Sequence, residues 1–156
     1  MNIPKKGSRG ASALLPLRLI IGFGFMAHGF AKLSKGPEQF AVILQAIGVP
    51  APHLAAWATA LMELVGGIAI FIGAFVPIVS IPLIIIMLTA LFTVHLPNGF
   101  SSIKLLAMTP DGAQFGPPGY ELNLLYIAGL LTLALFGASS FSVDQWLDRR
   151  KENAGI

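Results

Sequence analysis

The sequence predicts an all-α integral membrane protein, a four-helix bundle with a short amphipathic helix between helices 1 and 2 and a long loop between helices 3 and 4. Three observations carry that reading. The 156 residues are 55% hydrophobic and only 11% charged, with mean hydropathy +0.78, whereas soluble domains carry about 25% charged residues. Apolar segments recur at 13–32, 54–76, 78–95 and 122–141, each near the ~20 residues that cross ~30 Å of hydrocarbon. None alternates as a strand does, and barrel strands would be about half as long. The length suits a single domain over residues 1–156.

Helix 1, Ala13–Lys32, carries Pro16 in its first turn, where a missing N–H is harmless. Lys5, Lys6 and Arg9 precede it, as they would a secretory signal. The apolar stretch is long, contains Arg18 and lacks a small-x-small cleavage site, so it is expected to be an uncleaved span. Residues 36–48 form a short helix opened by Pro37 and closed by Gly48. Phe40, Ile43, Leu44 and Ile47 follow i, i+3, i+4, i+7 spacing and give it one apolar face. Too short to span, it is expected to lie on the membrane or cap the bundle.

Helix 2, Leu54–Val76, is separated from helix 3, Ile78–His95, by Pro77 alone, which makes that connection a tight hairpin. Pro82 is placed to kink helix 3. Pro97–Tyr120 is a long Gly- and Pro-rich segment, and its apolar residues suggest that it folds back as a lid. Helix 4 covers Leu122–Phe141, and Asp144–Lys151 reads as a stop and orientation signal. Trp57 and Trp146 read as interface anchors and His53 as interfacial. Lys5, Lys6 and Arg9 at one end and Arg149, Arg150 and Lys151 at the other outweigh Lys32, Lys35 and Lys104 on the opposite face. Both termini are therefore expected in the cytoplasm and the chain in the inner (plasma) membrane.

The net charge of +3 arises from these flanks, so no nucleic-acid partner is expected. With no cysteine, the chain has no disulfide framework, CxxC centre or thiolate metal site of its own. A redox role would need a bound cofactor or a partner.

Glu63 is the most informative residue, an acid in the middle of an apolar run where a charge costs about 2.5 kcal/mol or more. Antiparallel packing gathers His28, Glu63, His95, Glu121 and Asn123 into the outer half of the bundle. By helical rise His28 lies ~6–8 Å and Glu63 ~14 Å below the outer boundary. Arg18, nearer the cytoplasmic side, is one candidate partner for Glu63, and Lys32 and His28 compete for the same carboxylate. Glu63 reads either as half of a structural ion pair or as a proton acceptor or ligand anchor in a cavity. His28 could hydrogen-bond a quinone carbonyl, while Lys32 reads more simply as a snorkelling cation. His28 and His95 could be axial haem ligands, but no CxxCH attachment motif accompanies them, and no metal site is expected. Glu121 reads as a first-turn acid favoured by the helix dipole. Asn123, about 200° away around the helix, can reach across to another helix.

Leu17-Arg18-Leu19, Ala27-His28-Gly29-Phe30-Ala31-Lys32-Leu33, Met62-Glu63-Leu64-Val65-Gly66-Gly67, Thr93-Val94-His95 and Gly119-Tyr120-Glu121-Leu122-Asn123 occur in this order. The pattern resembles the DoxX family of small four-helix bacterial and archaeal membrane proteins over about residues 13–140. The resemblance implies an integral membrane protein of a family some of whose members are associated with quinone-linked thiosulfate oxidation and oxidative-stress functions. The expected function is therefore a membrane subunit of a redox system that binds a quinone or similar lipophilic ligand through His28, Glu63, Arg18, Lys32, His95, Glu121 and Asn123, and that is not catalytic alone. The alternative is a non-catalytic scaffold that tethers soluble redox enzymes to the lipid bilayer by its basic tail or its long loop. A small transporter ranks third, because the polar residues form no continuous file across one protomer, and only a homo-oligomer could complete one.

Overall fold

The computed structural model describes residues 13–137 and 141–154. The basic flank Lys5, Lys6 and Arg9 lies outside these residues, as does the side chain of Lys151. Among the described residues six helices follow in order: α1 (Leu15–Lys35), α2 (Pro37–Ala46), α3 (Pro52–Ile72), α4 (Val76–Ala90), α5 (Glu121–Phe136) and α6 (Val143–Ala154). A π turn over Leu91–His95 and a short 3₁₀ turn over Leu96–Asn98 extend α4. The described residues are all-α apart from one hairpin, β1 (Leu105–Thr109) with β2 (Gly112–Phe115), inside the long loop.

Local chemistry sets the helix ends. Pro37, Pro52 and Pro77 each sit in a first turn, where a missing N–H costs no bond. Pro77 thus belongs to α4 rather than to the connection before it. The turn between α3 and α4 is made by Gly73 and Phe75, both in the left-handed region at φ 73° and 51°. The fourth long helix stops at Phe136, five residues before the expected Phe141, because Gly137 adopts φ 78° and its N–H closes on the Leu133 carbonyl.

α1 packs along α3, and α5 packs on α4, so α1, α3, α4 and α5 form one bundle. Its core is Ile21, Phe25, Ile70, Val76, Leu83, Leu130 and Leu133. The α1–α3 contact is backbone against backbone. A Cβ on Gly29 would stand 2.4 Å from the Leu64 nitrogen, and one on Gly67 would stand 2.6 Å from the Met26 nitrogen. Only glycine permits that approach, the usual device where lipid gives helices no hydrophobic reason to associate. The segments Pro52–Ile72 and Val76–Asn98 are long and apolar enough to cross a bilayer, and the shorter Glu121–Phe136 is apolar as well. Their outward residues, among them Val65, Ile78, Ile81 and Leu125, are left uncovered by protein. That is the surface a lipid-solvated bundle presents.

Candidate functional site

Glu63 is buried on α3 with its side chain 5% exposed, and Lys32 is the partner that reaches it. The Lys32 ammonium donates to Glu63 Oε2 at 2.5 Å and stands 4.7 Å from the centre of the Phe40 ring. The close α1–α3 approach at Gly29, one turn before Lys32, brings the two groups together. The Lys stem then lies along apolar surface while its head meets the carboxylate.

This ion pair forms part of the wall of a cavity of about 510 Å³ between α2, α3 and α4. Phe40, Ile43, Leu44 and Ile47 of α2 roof it, and Ile85 and Ile86 face them from α4. The other polar lining residues are Thr59, Thr89, Thr93 and His95. Thr89 and Thr93 donate their hydroxyl protons to the carbonyls of Ile85 and Thr89 at 2.9 and 2.7 Å, which leaves their oxygens as acceptors. His95 Nδ1 lies 3.1 Å from the Pro118 carbonyl. A carbonyl only accepts, so this contact holds the proton on Nδ1 and leaves Nε2 of the neutral ring as the acceptor. The π turn bears on His95's place here: the Leu96 N–H bonds back to Leu91, and the extra residue in that turn swings His95 round.

The remaining predicted site residues lie apart from this cavity. His28 lines a neighbouring cavity of about 320 Å³ with Lys32, Lys35 and Gln39. Asn123 is buried and donates to the Met87 carbonyl at 3.3 Å, tying α5 to α4. Glu121 accepts from the Ser102 N–H at 3.0 Å and pins the base of the long loop to the first turn of α5. Arg18 is buried at the other end of α1, where its guanidinium donates to the Phe141 carbonyl at 3.1 Å and senses the Asp144 carboxylate.

The long loop is not the lid. Its two arms bond to each other: Gly116 to Lys104, Gly119 to Ser101, Tyr120 to Gly99 and Glu121 to Phe100. With its backbone satisfied this way the loop stands off the bundle, and none of its residues lines the large cavity. The covering element is α2, whose Ala41 and Leu44 pack on Ala56 of α3. A polar latch strengthens the contact. Glu38 accepts from Trp57 Nε1 at 3.3 Å, and its other oxygen lies 2.5 Å from His53 Nδ1. These hydrogen bonds hold the Glu38 carboxyl below the usual carboxylate range. Among the described residues no group of three or more His, Cys, Asp or Glu could hold a metal ion.

Two residues escaped the sequence reading. Asp144, taken as part of an orientation signal, accepts the N–H groups of Phe75 and Val76 at 2.7 and 3.2 Å and so caps α4 from across the chain. Glu38 latches α2. An acid one position after a helix-opening proline was the available signal for Glu38, but no local pattern announces a cap delivered from 68 residues away.

A model of the DoxX family matches residues 13–96, more than half of the chain. The Gly-Tyr-Glu-Leu-Asn stretch at 119–123 falls outside that match. Among curated proteins, a Bacillus subtilis protein, CatD, whose name marks it as a candidate oxidoreductase, is 28% identical over 91% of this chain and 92% of its own length. An uncharacterized membrane protein of Mycobacterium tuberculosis, Rv3486, is 26% identical over 95% of this chain and 89% of its own length. No solved structure matches.

Proposed function

Because the chain belongs to the DoxX family of membrane proteins, we propose that it is a membrane subunit of a redox system whose large cavity takes a quinone or a similar lipophilic carbonyl compound. The observation that carries this reading is the lining of the 510 Å³ space, apolar on α2 and α4 and interrupted by the Lys32–Glu63 pair, Thr59, Thr89, Thr93 and His95. Apolar walls with a few convergent polar groups are the ordinary form of a small-molecule site. The residues fit the group: a flat ring needs the Phe40, Ile43 and Ile86 surface, and a ring carbonyl needs a donor, which Lys32 supplies. A quinone, when bound, contributes two-electron chemistry coupled to protons.

The chain's own part is to bind, orient and hold protons. Lys32 donates to a carbonyl oxygen while Glu63, its ion-pair partner, keeps the ammonium aimed. Nε2 of His95 accepts from a hydroxyl on a reduced ligand. The roof of α2 keeps water from the carboxylate. The name of the Bacillus relative supports a redox assignment for this chain. Crossing of the inner membrane by all four long helices, with both termini in the cytoplasm, is part of the same proposal.

The test is saturable quenching of tryptophan fluorescence by decylubiquinone in the detergent-purified protein. Trp57, which donates a hydrogen bond to Glu38 of the roofing helix, is the reporter. Thr59→Phe, which fills the cavity from α3, is expected to abolish saturation while the thermal midpoint is retained. Unchanged quenching in that variant sinks the reading.

A second reading has one observation in its favour. Ile103, Leu106, Met108 and Phe115 of the loop and hairpin are 61–77% exposed, a surface suited to docking a soluble redox partner rather than a ligand. Co-purification of an enzyme that is lost when residues 103–116 are replaced by a Gly-Ser linker, but survives Thr59→Phe, would favour that tether.

A further inference from the structure

His28, Lys32 and Lys35 stand at i, i+4 and i+7 on α1, so they rise along one face of the helix. That face forms one side of the smaller cavity of about 320 Å³, and Gln39, Phe40 and Ile43 of α2 form the other. No carboxylate lines it. Lys32 is matched by Glu63 across the wall shared with the larger cavity. Lys35 and His28 have no hydrogen-bond or ion-pair partner among the described residues, and both are exposed.

The helical rise sets His28 about 10 Å from Lys35 along α1. The groove therefore carries donors along its length from Lys35 to His28, with the apolar surfaces of Phe40 and Ile43 beside them. A cationic groove without an acid of its own is completed by an anion. Ammonium groups bind phosphate as point charges, and the Gln39 amide adds two neutral donors.

We infer that this cavity is a binding site for a phosphate group, with Lys35 and Gln39 as its contacting residues. Lys35 supplies the counter-charge, and Gln39 donates from the facing helix. His28 stands about 10 Å along α1 from Lys35, where a second phosphate oxygen or a glycerol hydroxyl would meet it. The apolar wall of Phe40 and Ile43 suits the upper acyl chain of a phospholipid, and the same donors suit a free phosphate. The site stands apart from the quinone reading, since Lys35, Gln39 and His28 do not line the larger cavity.

The experiment uses the full chain in detergent and native mass spectrometry. The probes are dioleoyl phosphatidylglycerol, dioleoyl phosphatidylcholine and inorganic phosphate. Lys35→Gln is the principal variant and Gln39→Ala the second, both at exposed positions, each checked for an unchanged melting profile. One lysine near a membrane surface is worth about 1 kcal/mol toward an anionic lipid, so Lys35→Gln is expected to weaken retention about fivefold. Preferential, Lys35-dependent retention of phosphatidylglycerol that millimolar phosphate does not displace identifies a lipid headgroup. Lys35-dependent binding of inorganic phosphate that displaces the lipid identifies the free ion. If neither phosphatidylglycerol nor phosphate is sensitive to Lys35→Gln or to Gln39→Ala, the inference is wrong.

Discussion

Lys32 and Glu63 behave as a unit because neither can be buried alone. A single-sided change leaves an uncompensated charge in a poorly solvated wall, whereas removing both partners leaves two compatible neutral surfaces. Lys32→Met is therefore expected to destabilise the protein by about 3 kcal/mol, and Lys32→Met with Glu63→Gln by far less. Chemical denaturation in detergent, run as a double-mutant cycle, measures the difference, and simple additivity of the two single changes would show that the pair is not coupled. At the other end of α1, Arg18 and Asp144 share a second polar cluster. Asp144 holds the N–H groups of Phe75 and Val76 where the helix dipole favours an anion. Asp144→Ala is expected to cost about 1–2 kcal/mol and to speed amide exchange at Phe75 and Val76. Protection there unchanged from the parent would mean that the cap carries no stability.

Among the elements, α2 has the most conditional position. It is short, is held to α3 by a small apolar contact, and is latched by Glu38 to His53 and Trp57. The Glu38 carboxyl is held below the ordinary carboxylate value of about 4.3. A depressed carboxylate contributes stability that is fully present above its unfolded value and is lost as pH falls through its folded value. The protection of residues 40–46, measured as amide exchange relative to the intrinsic rate at each pH, is therefore expected to hold at neutral pH and to fall as the Glu38 carboxylate is protonated. Glu38→Gln should lower that protection at neutral pH and remove its acid dependence. Equal slopes in the two proteins would separate α2 from its latch. The α1–α3 interface obeys a different constraint, that of close approach. Gly67→Ala is expected to destabilise by about 1–3 kcal/mol through overpacking, because the added Cβ meets the Met26 backbone rather than a yielding side chain. A thermal midpoint equal to the parent's would mean that α1 can shift outward without loss.

The whole molecule presents its apolar side chains outward and keeps most of its charges near helix ends, with the Lys32–Glu63 pair and Arg18 drawn inside. The absence of cysteine makes its orientation directly measurable by single introduced thiols. The proposed cytoplasmic placement of both termini predicts that Asp111→Cys in the hairpin turn reacts with a membrane-impermeant maleimide on intact cells, and Arg149→Cys only after permeabilisation. The reverse pattern would invert the topology. The same distribution explains what could be read from the residues and what could not. Composition and four apolar runs specify helices in lipid, because a backbone in hydrocarbon must satisfy its own hydrogen bonds within each segment. Pro37, Gly48 and the spacing of Phe40, Ile43, Leu44 and Ile47 give α2 and its apolar face by local rules alone. Glu63 stands out as a charge in the wrong solvent. Its partner does not: Arg18, His28 and Lys32 all lie on the same helix, and only the depth and rotation of α1 against α3, fixed by backbone contact at Gly29 and Gly67, bring Lys32 to it. The hairpin, the Asp144 cap and the roofing of the cavity by α2 instead of the long loop depend on pairings between residues distant in the chain. Periodicity reports which way a residue faces on its own helix, and the site depends on which residue of another helix it meets.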